Sequence, residues 1–414
     1  AAIYPMVITV STQSLFRLSA ELCDHIDKDD LLEAAERTFQ RYPYYAVELK
    51  GGFFRYSLAR NFRKFVVRED DGCHLKKINF IKNRGYLIRI TYYKRKIFVD
   101  FFHGLCDGMA AMEFMKTLLY NYLTVRGEDI DSGGMIKIHP KEIEEAEVSD
   151  GFAENFGKIN IKEGAKKMAG APAFRLTGKL FRKEGYGVIE GTMESDSLKA
   201  LAKSYNCSIT VFLAAHALLS IAKATVKDSR RDYSIFIPVN LRNYFPSGTM
   251  LNFTTITKHR VPQDTELKLE KYIEIISASL KEQLNKDDLR MKLSFTSLFE
   301  KNPFLRFLPL PVKSFFARAG RFFSLNTRQT IILSNVGEIK LPKEMNGQVD
   351  ALSFNLNCSR KTPNNIAMLS YNGKTVISFT RQLVSTEIER EFFTGLAKMG
   401  VNVKIASNLR EVKI

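Results

Sequence analysis

The feature that most constrains this chain is an apolar run that ends in a histidine. Residues Ile97–Phe102 have the composition of a buried strand, and His103 follows directly. Gly104 and Gly108 permit a tight turn, Asp107 lies four residues after the histidine, and a helical pattern comes next. This order of strand, turn and helix predicts an imidazole held rigidly at a strand end, where a catalytic group is well positioned.

A structural role is the alternative for His103. A lone histidine beside apolar residues is commonly a hydrogen-bonded core residue, and a His-x-x-x-Asp spacing alone does not decide between the two. Two later segments bear on the choice. Residues Ile235–Arg242 form an apolar strand pattern that ends in Val-Asn-Leu-Arg, and Ile331–Gly337 form another that contains Ser334, Asn335 and Val336.

Together these segments resemble one enzyme superfamily. The stretch His103–Gly108, which follows an apolar strand and opens a helix, resembles the active-site motif of the chloramphenicol acetyltransferase, BAHD and condensation-domain superfamily. The segments that end at Arg242 and Gly337 match that superfamily in the same order. Within it the chain is most similar to bacterial alcohol acetyltransferase-like and wax ester synthase-like acyltransferases, over roughly residues 5–400.

The chain also departs from these relatives. It has no tryptophan, and so it lacks the Asp-Phe-Gly-Trp-Gly motif of the plant BAHD enzymes. Phe102 stands where condensation domains and wax ester synthases have a first histidine. Pro246, Gly248 and Asn252-Phe253 resemble a Pro…Gly-Asn-Phe segment, but three residues separate the glycine from the asparagine. We therefore expect this loop to differ.

The resemblance implies an α/β fold, α+β in detail, with two chloramphenicol-acetyltransferase-like domains. Each would be a mixed β-sheet with flanking helices, and the active-site tunnel would lie between them. A length of 414 residues agrees with two domains. The pattern loosens between residues 127 and 185, and so we predict an N-terminal domain over 1–150, a crossover linker over 151–185 and a C-terminal domain over 186–414.

The activity that the resemblance implies is acyl transfer from a coenzyme A thioester to an alcohol or other hydroxyl acceptor. His103 would be the general base, and an unperturbed histidine pKa near 6.5 suits that task. No Gly-x-Ser-x-Gly motif indicates an acyl-serine intermediate. We expect Gly104, Asn252, Ser334 and Asn335 to line the tunnel, whereas the residues leave the oxyanion donors open.

Two roles are open to Asp107. It can orient His103, as the acid of a catalytic triad does. The resemblance implies the other role, in which Asp107 pairs with Arg242 and fixes the loop. We prefer this second role and assign Asp107, Gly108 and Arg242 as structural residues of the site.

Two further functions remain as alternatives. One is a condensation-like enzyme that forms an amide or ester from a carrier-protein thioester, and the other is a non-catalytic binding protein with the same fold. The intact His103, Asp107 and Gly108 favour an enzyme. No carrier or adenylation domain is attached, which favours a coenzyme A enzyme but leaves a carrier protein in trans open.

Charge and cysteine content limit the classes of binding partner and cofactor that we expect. The net charge is +17, from 62 Lys and Arg against 45 Asp and Glu, but the basic residues are spread along the chain and form no nucleic-acid-binding motif. Coenzyme A phosphates, an acidic carrier or an anionic membrane would suit this charge. Five widely spaced cysteines without a Cys-x-x-Cys pair indicate neither a metal site nor disulfides. We expect a cytoplasmic monomer that uses acyl-CoA as a substrate and needs no metal.

Residues 301–323 suggest peripheral membrane contact. Pro311 can open a helix, and Lys313, Arg318 and Arg321 lie opposite an apolar stripe. The stripe consists of Val312, Phe315, Phe316, Ala319, Phe322 and Phe323. Such a basic amphipathic helix can lie in a membrane interface, but packing against the second domain explains the same pattern, and we prefer it.

Three local signals complete the sequence predictions. Tyr371-Asn372-Gly373-Lys374 is typical of a type I′ hairpin turn. Thr386 and Glu389 have the spacing of a capping box at a helix start. His216 lies inside an apolar helical pattern, and so we predict a structural role for it.

Overall fold

A computed structural model of the chain describes residues 13–54, 56–138, 143–157, 171–181, 186–225, 231–301, 308–309, 311–312, 315 and 329–408. Their elements in chain order are β1 (Leu15–Leu22), α1 (Lys28–Arg41), β2 (Val47–Gly51), β3 (Tyr56–Arg60), β4 (Val67–Glu69), β5 (Ile88–Tyr93), β6 (Lys96–Phe102), α2 (Gly108–Val125), α3 (Glu145–Val148), α4 (Gly151–Glu154), β7 (Gly187–Glu194), α5 (Ser195–Ser204), α6 (Ile209–Ala224), β8 (Tyr233–Asn240), β9 (Thr254–Val261), α7 (Leu269–Gln283), α8 (Lys286–Lys301), β10 (Ile331–Ile339), α9 (Lys343–Asn346), β11 (Val349–Leu356), β12 (Asn364–Tyr371), β13 (Lys374–Arg381), α10 (Glu387–Lys398) and β14 (Lys404–Ser407).

The first half of the chain builds a mixed sheet in the order β11-β1-β6-β5-β4. Strands β5 and β6 form an antiparallel hairpin, with Tyr93 opposite Lys96 and Lys94 at a φ of 51° in the turn. One face of the sheet packs against α1 and α2 through a continuous apolar core. Strand β6 therefore lies in the middle of the sheet, where its end is held from both sides.

Helix α2 follows the turn after β6 because the loop supplies its cap. The Asp107 side chain accepts a hydrogen bond from the backbone N–H of Ala110, 3.1 Å away, which is a typical N-cap. The helix begins at Gly108, directly after the capping residue. Its buried face includes Ala111, Met115, Leu118, Leu119 and Tyr122.

The second half builds a larger sheet in the order β14-β7-β13-β12-β10-β8-β9. Strand β10 is parallel to both β12 and β8, and the other pairs are antiparallel. Helices α5, α6, α7 and α10 contribute to the apolar core on one side of this sheet. The predicted α/β class, with mixed sheets and flanking helices in two units, is confirmed.

Strand β11 belongs to the first sheet although it comes from the second half of the chain. It pairs antiparallel with β1, and Ser19 faces Ser353 across a 2.9 Å contact between their hydroxyl oxygens. The second half of the chain therefore contributes one strand to the sheet of the first half. The boundaries predicted at residues 150 and 186 stay predictions, since much of the linker lies outside the described residues.

Two of the three local signals are confirmed. Asn372 and Gly373 have φ values of 46° and 74°, as a type I′ turn requires. His216 is buried and its Nε2 lies 2.8 Å from the Phe392 carbonyl, between α6 and α10. The capping box is wrong: Thr386 makes no side-chain cap bond, and Glu389 turns inward to accept a 2.9 Å hydrogen bond from Asn364.

Most of the amphipathic segment at 301–323 lies outside the described residues. Of its apolar stripe, Val312 and Phe315 are described, and both are exposed. Among the described residues no single helix is long and apolar enough to cross a membrane. Only α5 and α6 together reach that length and composition, and they form a pair bent by 80°.

Candidate active site

His103 lies directly after β6, where the structure holds both its backbone and its ring. Its backbone N–H donates to the Ser14 carbonyl at 2.8 Å, and its ring packs edge-on against Phe16 with the centroids 5.3 Å apart. The residue is partly buried. Burial lowers the pKa of His103, although hydrogen bonding to the backbone at His103 and Cys106 and the charge of Asp107 oppose the change. A lowered pKa keeps the imidazole neutral near pH 7, as a base must be.

Asn252 is a polar side chain that contacts this ring from the other half of the chain. Its Nδ2 lies 3.0 Å from Nδ1 of His103 and donates to the His103 backbone carbonyl at 3.0 Å. Its Oδ1 accepts from the hydroxyl of Thr254 at 3.0 Å. A carbonyl oxygen can only accept, and so it turns the nitrogen end of the amide towards His103.

Asp107 is almost completely buried, and its carboxylate joins the two halves. Oδ2 accepts from Arg242 Nη1 at 2.7 Å and from the Phe253 backbone N–H at 2.8 Å, while Oδ1 caps α2. The predicted ion pair between Asp107 and Arg242 is confirmed. These bonds commit the carboxylate to Arg242, to Phe253 and to the start of the helix, and so they favour the structural role over the triad.

Arg242 is itself held by the loop that departs from the family pattern. Its Nε and Nη2 donate to the Thr249 carbonyl at 3.0 and 2.8 Å, and Nη2 also donates to the Leu251 carbonyl at 2.7 Å. Nη1 also lies 3.2 Å from Oδ1 of Asn240. The residues that separate Gly248 from Asn252 thus supply the carbonyls that orient the guanidinium. Sequence reasoning noticed this insertion but did not give it a role.

The other predicted site residues lie around this centre in different ways. Gly104 is buried, and a Cβ there would lie 2.5 Å from the Phe102 ring. A Cβ on Gly108 would lie 3.4 Å from Cγ2 of Val336. The segment that contains Ser334 and Asn335 therefore reaches the His103 loop through Val336.

Asn335 points to the start of α6 instead of to the His103 ring. Its Nδ2 donates to the Thr210 hydroxyl at 3.0 Å, and its Oδ1 accepts from the Gly337 N–H at 2.8 Å. An open surface pocket of about 440 Å³ lies beside the N-terminus of α6. The pocket is lined by Lys199, Ala202, Lys203, Asn206, Cys207, Ser208 and Ile209.

The donor set of the site contains imidazole, amide, carboxylate and guanidinium groups, which suits proton transfer. Among the described residues, no group of three or more His, Cys, Asp or Glu side chains is arranged to hold a metal ion. All five cysteines are described, and no disulfide joins them.

Comparison with known proteins identifies the fold. No protein-family model matches the chain, and no curated protein matches it. Among solved structures, polyketide synthase associated protein 5 from Mycobacterium tuberculosis matches 93% of this chain and 94% of its own, with a TM-score of 0.64 and 13% identity. F. sporotrichioides TRI101, complexed with coenzyme A and T-2, matches over 97% and 98%, with a TM-score of 0.56 and 14% identity.

A third match is a condensation domain. The first condensation domain of the CDA synthetase matches 94% of this chain and 91% of its own, with a TM-score of 0.56 and 10% identity. The chain therefore has the two-domain fold that coenzyme A-binding acetyltransferases share with condensation domains. The resemblance seen in the three sequence motifs is confirmed at the level of the fold.

Proposed function

We propose that this chain is an acyltransferase that moves an acyl group from a coenzyme A thioester to the hydroxyl of an alcohol, with His103 as the general base. The observation that carries the proposal is the position of the His103 ring. It lies at the end of a central strand, at the junction of the two halves, in contact with Asn252. The solved structure of TRI101 with coenzyme A supports this donor.

The reaction needs one proton to move and return. Nε2 of His103 accepts the proton of the acceptor hydroxyl while that oxygen attacks the thioester carbonyl carbon. The tetrahedral oxyanion then collapses, the carbon–sulfur bond breaks, and the imidazolium returns the proton to the leaving thiolate. The products are the ester and free coenzyme A, and atoms and charge balance without a metal or a redox step.

The contact with Asn252 bears on which ring nitrogen carries the proton. Nε2 is basic when Nδ1 bears the hydrogen of the neutral ring. Backbone oxygens at His103 and Cys106 suit that tautomer, because they can accept the hydrogen on Nδ1. The amide nitrogen of Asn252, which the His103 carbonyl turns towards the ring, instead favours a hydrogen on Nε2, and so the two contacts oppose each other. We infer that Asn252 positions and tunes the base.

The pocket beside α6 suits the phosphate groups of the donor. Lys199 and Lys203 line it, and the N-terminal end of a 16-residue helix faces the same space. Thr210 on that helix contacts Asn335, whose segment reaches the His103 loop. We therefore assign the pocket to the nucleotide end of coenzyme A, with the acyl end directed towards His103.

The test measures thiol release from acyl-CoA esters of different chain lengths over a panel of alcohols. We expect turnover that falls by roughly a hundredfold or more in His103→Ala, because a principal base is lost. His25→Ala replaces an exposed histidine and is the matched control. Near-normal turnover in a folded His103→Ala protein would overturn the general-base role.

A carrier-protein thioester is the second candidate donor, favoured by the condensation-domain match. Phe102 argues against it, since the sequence resemblance places this residue where condensation domains have their first histidine, and its phenyl ring is buried. Assays with phosphopantetheine-loaded carrier protein beside acyl-CoA distinguish the donors. Turnover with the carrier alone supports the second candidate, and ligand binding without turnover supports a non-catalytic protein.

A further inference from the structure

The small hairpin of β2 and β3 carries an unusual exposed surface. It belongs to neither large sheet and forms a two-stranded sheet of its own. The exposed apolar residues on and beside this hairpin, together with the basic residues around them, form a region that we call the aromatic–basic surface. Its apolar members are Phe53, Phe54, Leu58, Phe62 and Ile81, and its basic members are Lys50, Arg60, Arg63, Lys64, Lys82 and Arg84.

Hydrogen bonds join the base of the hairpin to the neighbouring turn. Asn61 donates to the Arg84 carbonyl at 2.8 Å, and Arg84 donates to the Lys64 carbonyl at 3.4 Å. The turn that carries Ile81 and Lys82 therefore lies beside the strand end that carries Phe62 and Arg63. At the hairpin tip the rings of Phe53 and Phe54 meet edge to face, with centroids 4.8 Å apart.

The apolar side chains are exposed far beyond what packing requires. Phe53 is 71% exposed, Phe62 82% and Ile81 91%. Scattered single apolar residues are ordinary on protein surfaces, but several large ones on one hairpin and the turn beside it mark an interaction site.

The charge around these side chains has one sign. Across residues 47–64 and 79–84 the sequence contains seven Lys and Arg and a single acid, Glu48. Glu48 is already paired with Arg63 and Lys50. A partner that covers this surface must therefore supply both negative charge and an apolar medium.

We propose that the aromatic–basic surface is a membrane-docking site that inserts its apolar side chains into the interface of an anionic lipid bilayer. The bilayer supplies both requirements at once: the headgroups meet the basic ring, and the acyl boundary receives the phenyl rings and Ile81. A second copy of the chain would bring the same excess of positive charge to the contact. Nucleic acid would meet the positive charge, but it would not supply an apolar medium for the aliphatic side chains of Leu58 and Ile81.

This inference goes beyond the proposed acyltransferase function and does not depend on it. It also concerns a different region from the amphipathic segment at 301–323. Docking through the hairpin would place the protein where lipid-like alcohols and long acyl chains partition.

The experiment uses the absence of tryptophan in the chain. Phe53→Trp introduces a single reporter, and its emission is measured with vesicles of phosphatidylcholine containing about one third phosphatidylserine. We expect a blue shift and quenching by lipids that carry a quencher in the acyl chain. Ile405→Trp, at an exposed position on β14, should show neither effect. An unchanged Phe53→Trp spectrum would overturn the proposal.

Flotation of the full chain with the same vesicles gives the second measurement. Phe53→Ser/Phe62→Ser/Ile81→Ser and Lys50→Glu/Lys82→Glu should each weaken partitioning by about tenfold or more. The matched controls replace exposed residues elsewhere and should float like wild type: Ile143→Ser/Val148→Ser/Ile405→Ser and Lys281→Glu/Lys374→Glu. Thermal melts verify that all variants fold.

Three results contradict the membrane assignment. The first is equal flotation of all variants. The second is a molar mass in solution that is lower for the triple serine variant than for wild type, which would assign the surface to a contact between copies. The third is quenching of Phe53→Trp by an oligonucleotide but not by vesicles, which would assign the surface to nucleic acid.

Discussion

Two buried aspartates on either side of His103 show how similar ion pairs can do different work. Asp100 lies on β6 and binds Arg17 on β1 and Arg89 on β5, with the closest contacts at 2.7 and 2.6 Å. Both of these arginines come from neighbouring strands of one sheet. Asp107 binds Arg242, which is 135 residues away and belongs to the other half. The first cluster holds a sheet together, and the second holds the two halves together at the candidate site.

The surroundings of the two arginines differ as well. Arg17 is almost fully buried and depends on carboxylates, since Asp70 is its other acidic partner at 3.0 Å. Arg242 is partly exposed and has backbone carbonyls as further acceptors. Loss of the carboxylate should therefore lower the folding stability more at Asp100. At Asp107 it should lower the catalytic turnover more.

The largest effect on stability is expected for Asp100→Asn. The change leaves two guanidinium groups without their main counter-charge in a buried position, which should cost roughly 3–5 kcal/mol in unfolding free energy. Denaturant unfolding measures it. Turnover per folded molecule should stay close to wild type, and a selective loss of turnover would show that the two clusters are not separate.

The same cluster predicts a response to acid. Burial raises the pKa of Asp100, but Arg17 and Arg89 outweigh it and hold the pKa at about 2, below the usual value. A group with a lowered pKa stabilises the fold above its unfolded pKa, near 4, and loses that contribution as the pH falls towards 2. Wild type should lose about 2 kcal/mol in this window. Asp100→Asn should lack this part of the acid transition, and an identical slope in both proteins would count against it.

Asp107→Asn is expected to lose less stability than Asp100→Asn, but it should lose activity as well. Asparagine can still cap α2, and the carbonyls still bind Arg242, so we expect about 2–3 kcal/mol. Turnover should fall even where the variant is fully folded, because the loop that carries His103 is no longer tied to the second half. A double-mutant cycle with Arg242→Met measures the coupling. Additive effects of the two changes would mean that the ion pair does not join the halves.

Asn252→Asp should shift the pH profile with little change in stability. Burial lowers the pKa of His103, and so the acid limb of kcat/KM should lie below pH 6.5 in wild type. A carboxylate beside the ring favours the imidazolium and should move this limb upward by roughly one unit. Asn252→Ala is the control for lost contact without charge. A limb that stays in place would show that Asn252 does not tune the base.

The smallest effect is expected at the pocket beside α6. Lys199→Ala/Lys203→Ala should raise KM for acyl-CoA about threefold, since exposed charge contacts are weak. KM for a short thioester without the nucleotide should not change. Lys271→Ala/Lys281→Ala, on the exposed side of α7, is the matched control. Equal KM changes for both thioesters would remove the coenzyme A phosphates from this pocket.

The sequence predicts the parts of the site that depend on local patterns. The strand, turn and helix around His103 follow from apolar residues, glycines and a capping aspartate that lie within a few positions of one another. The contact between Asn252 and His103 joins residues 149 positions apart, and no local pattern encodes it. The ion pair of Asp107 and Arg242 was accessible only through the resemblance to known enzymes.

The Asp100 cluster could have been found but was missed. An aspartate in the middle of the apolar run Ile97–Phe102 and an arginine within Leu15–Leu22 are charges in strands that must be buried. Such charges need partners, and the alternation of side chains along neighbouring strands would have placed the two on the same face. The capping box failed for a related reason. Glu389 had a buried partner, Asn364, that its own helix could not reveal.

The position of β11 has a consequence for how the chain is made. Strand β1 pairs with a segment more than 300 residues further along, and so its edge has no partner while most of the chain is still being synthesised. An open apolar strand edge can pair with the wrong chain. The first sheet can therefore be completed only after residues 349–356 have been synthesised. Because β1 and β11 are so far apart in sequence, their pairing should be a slow step of folding.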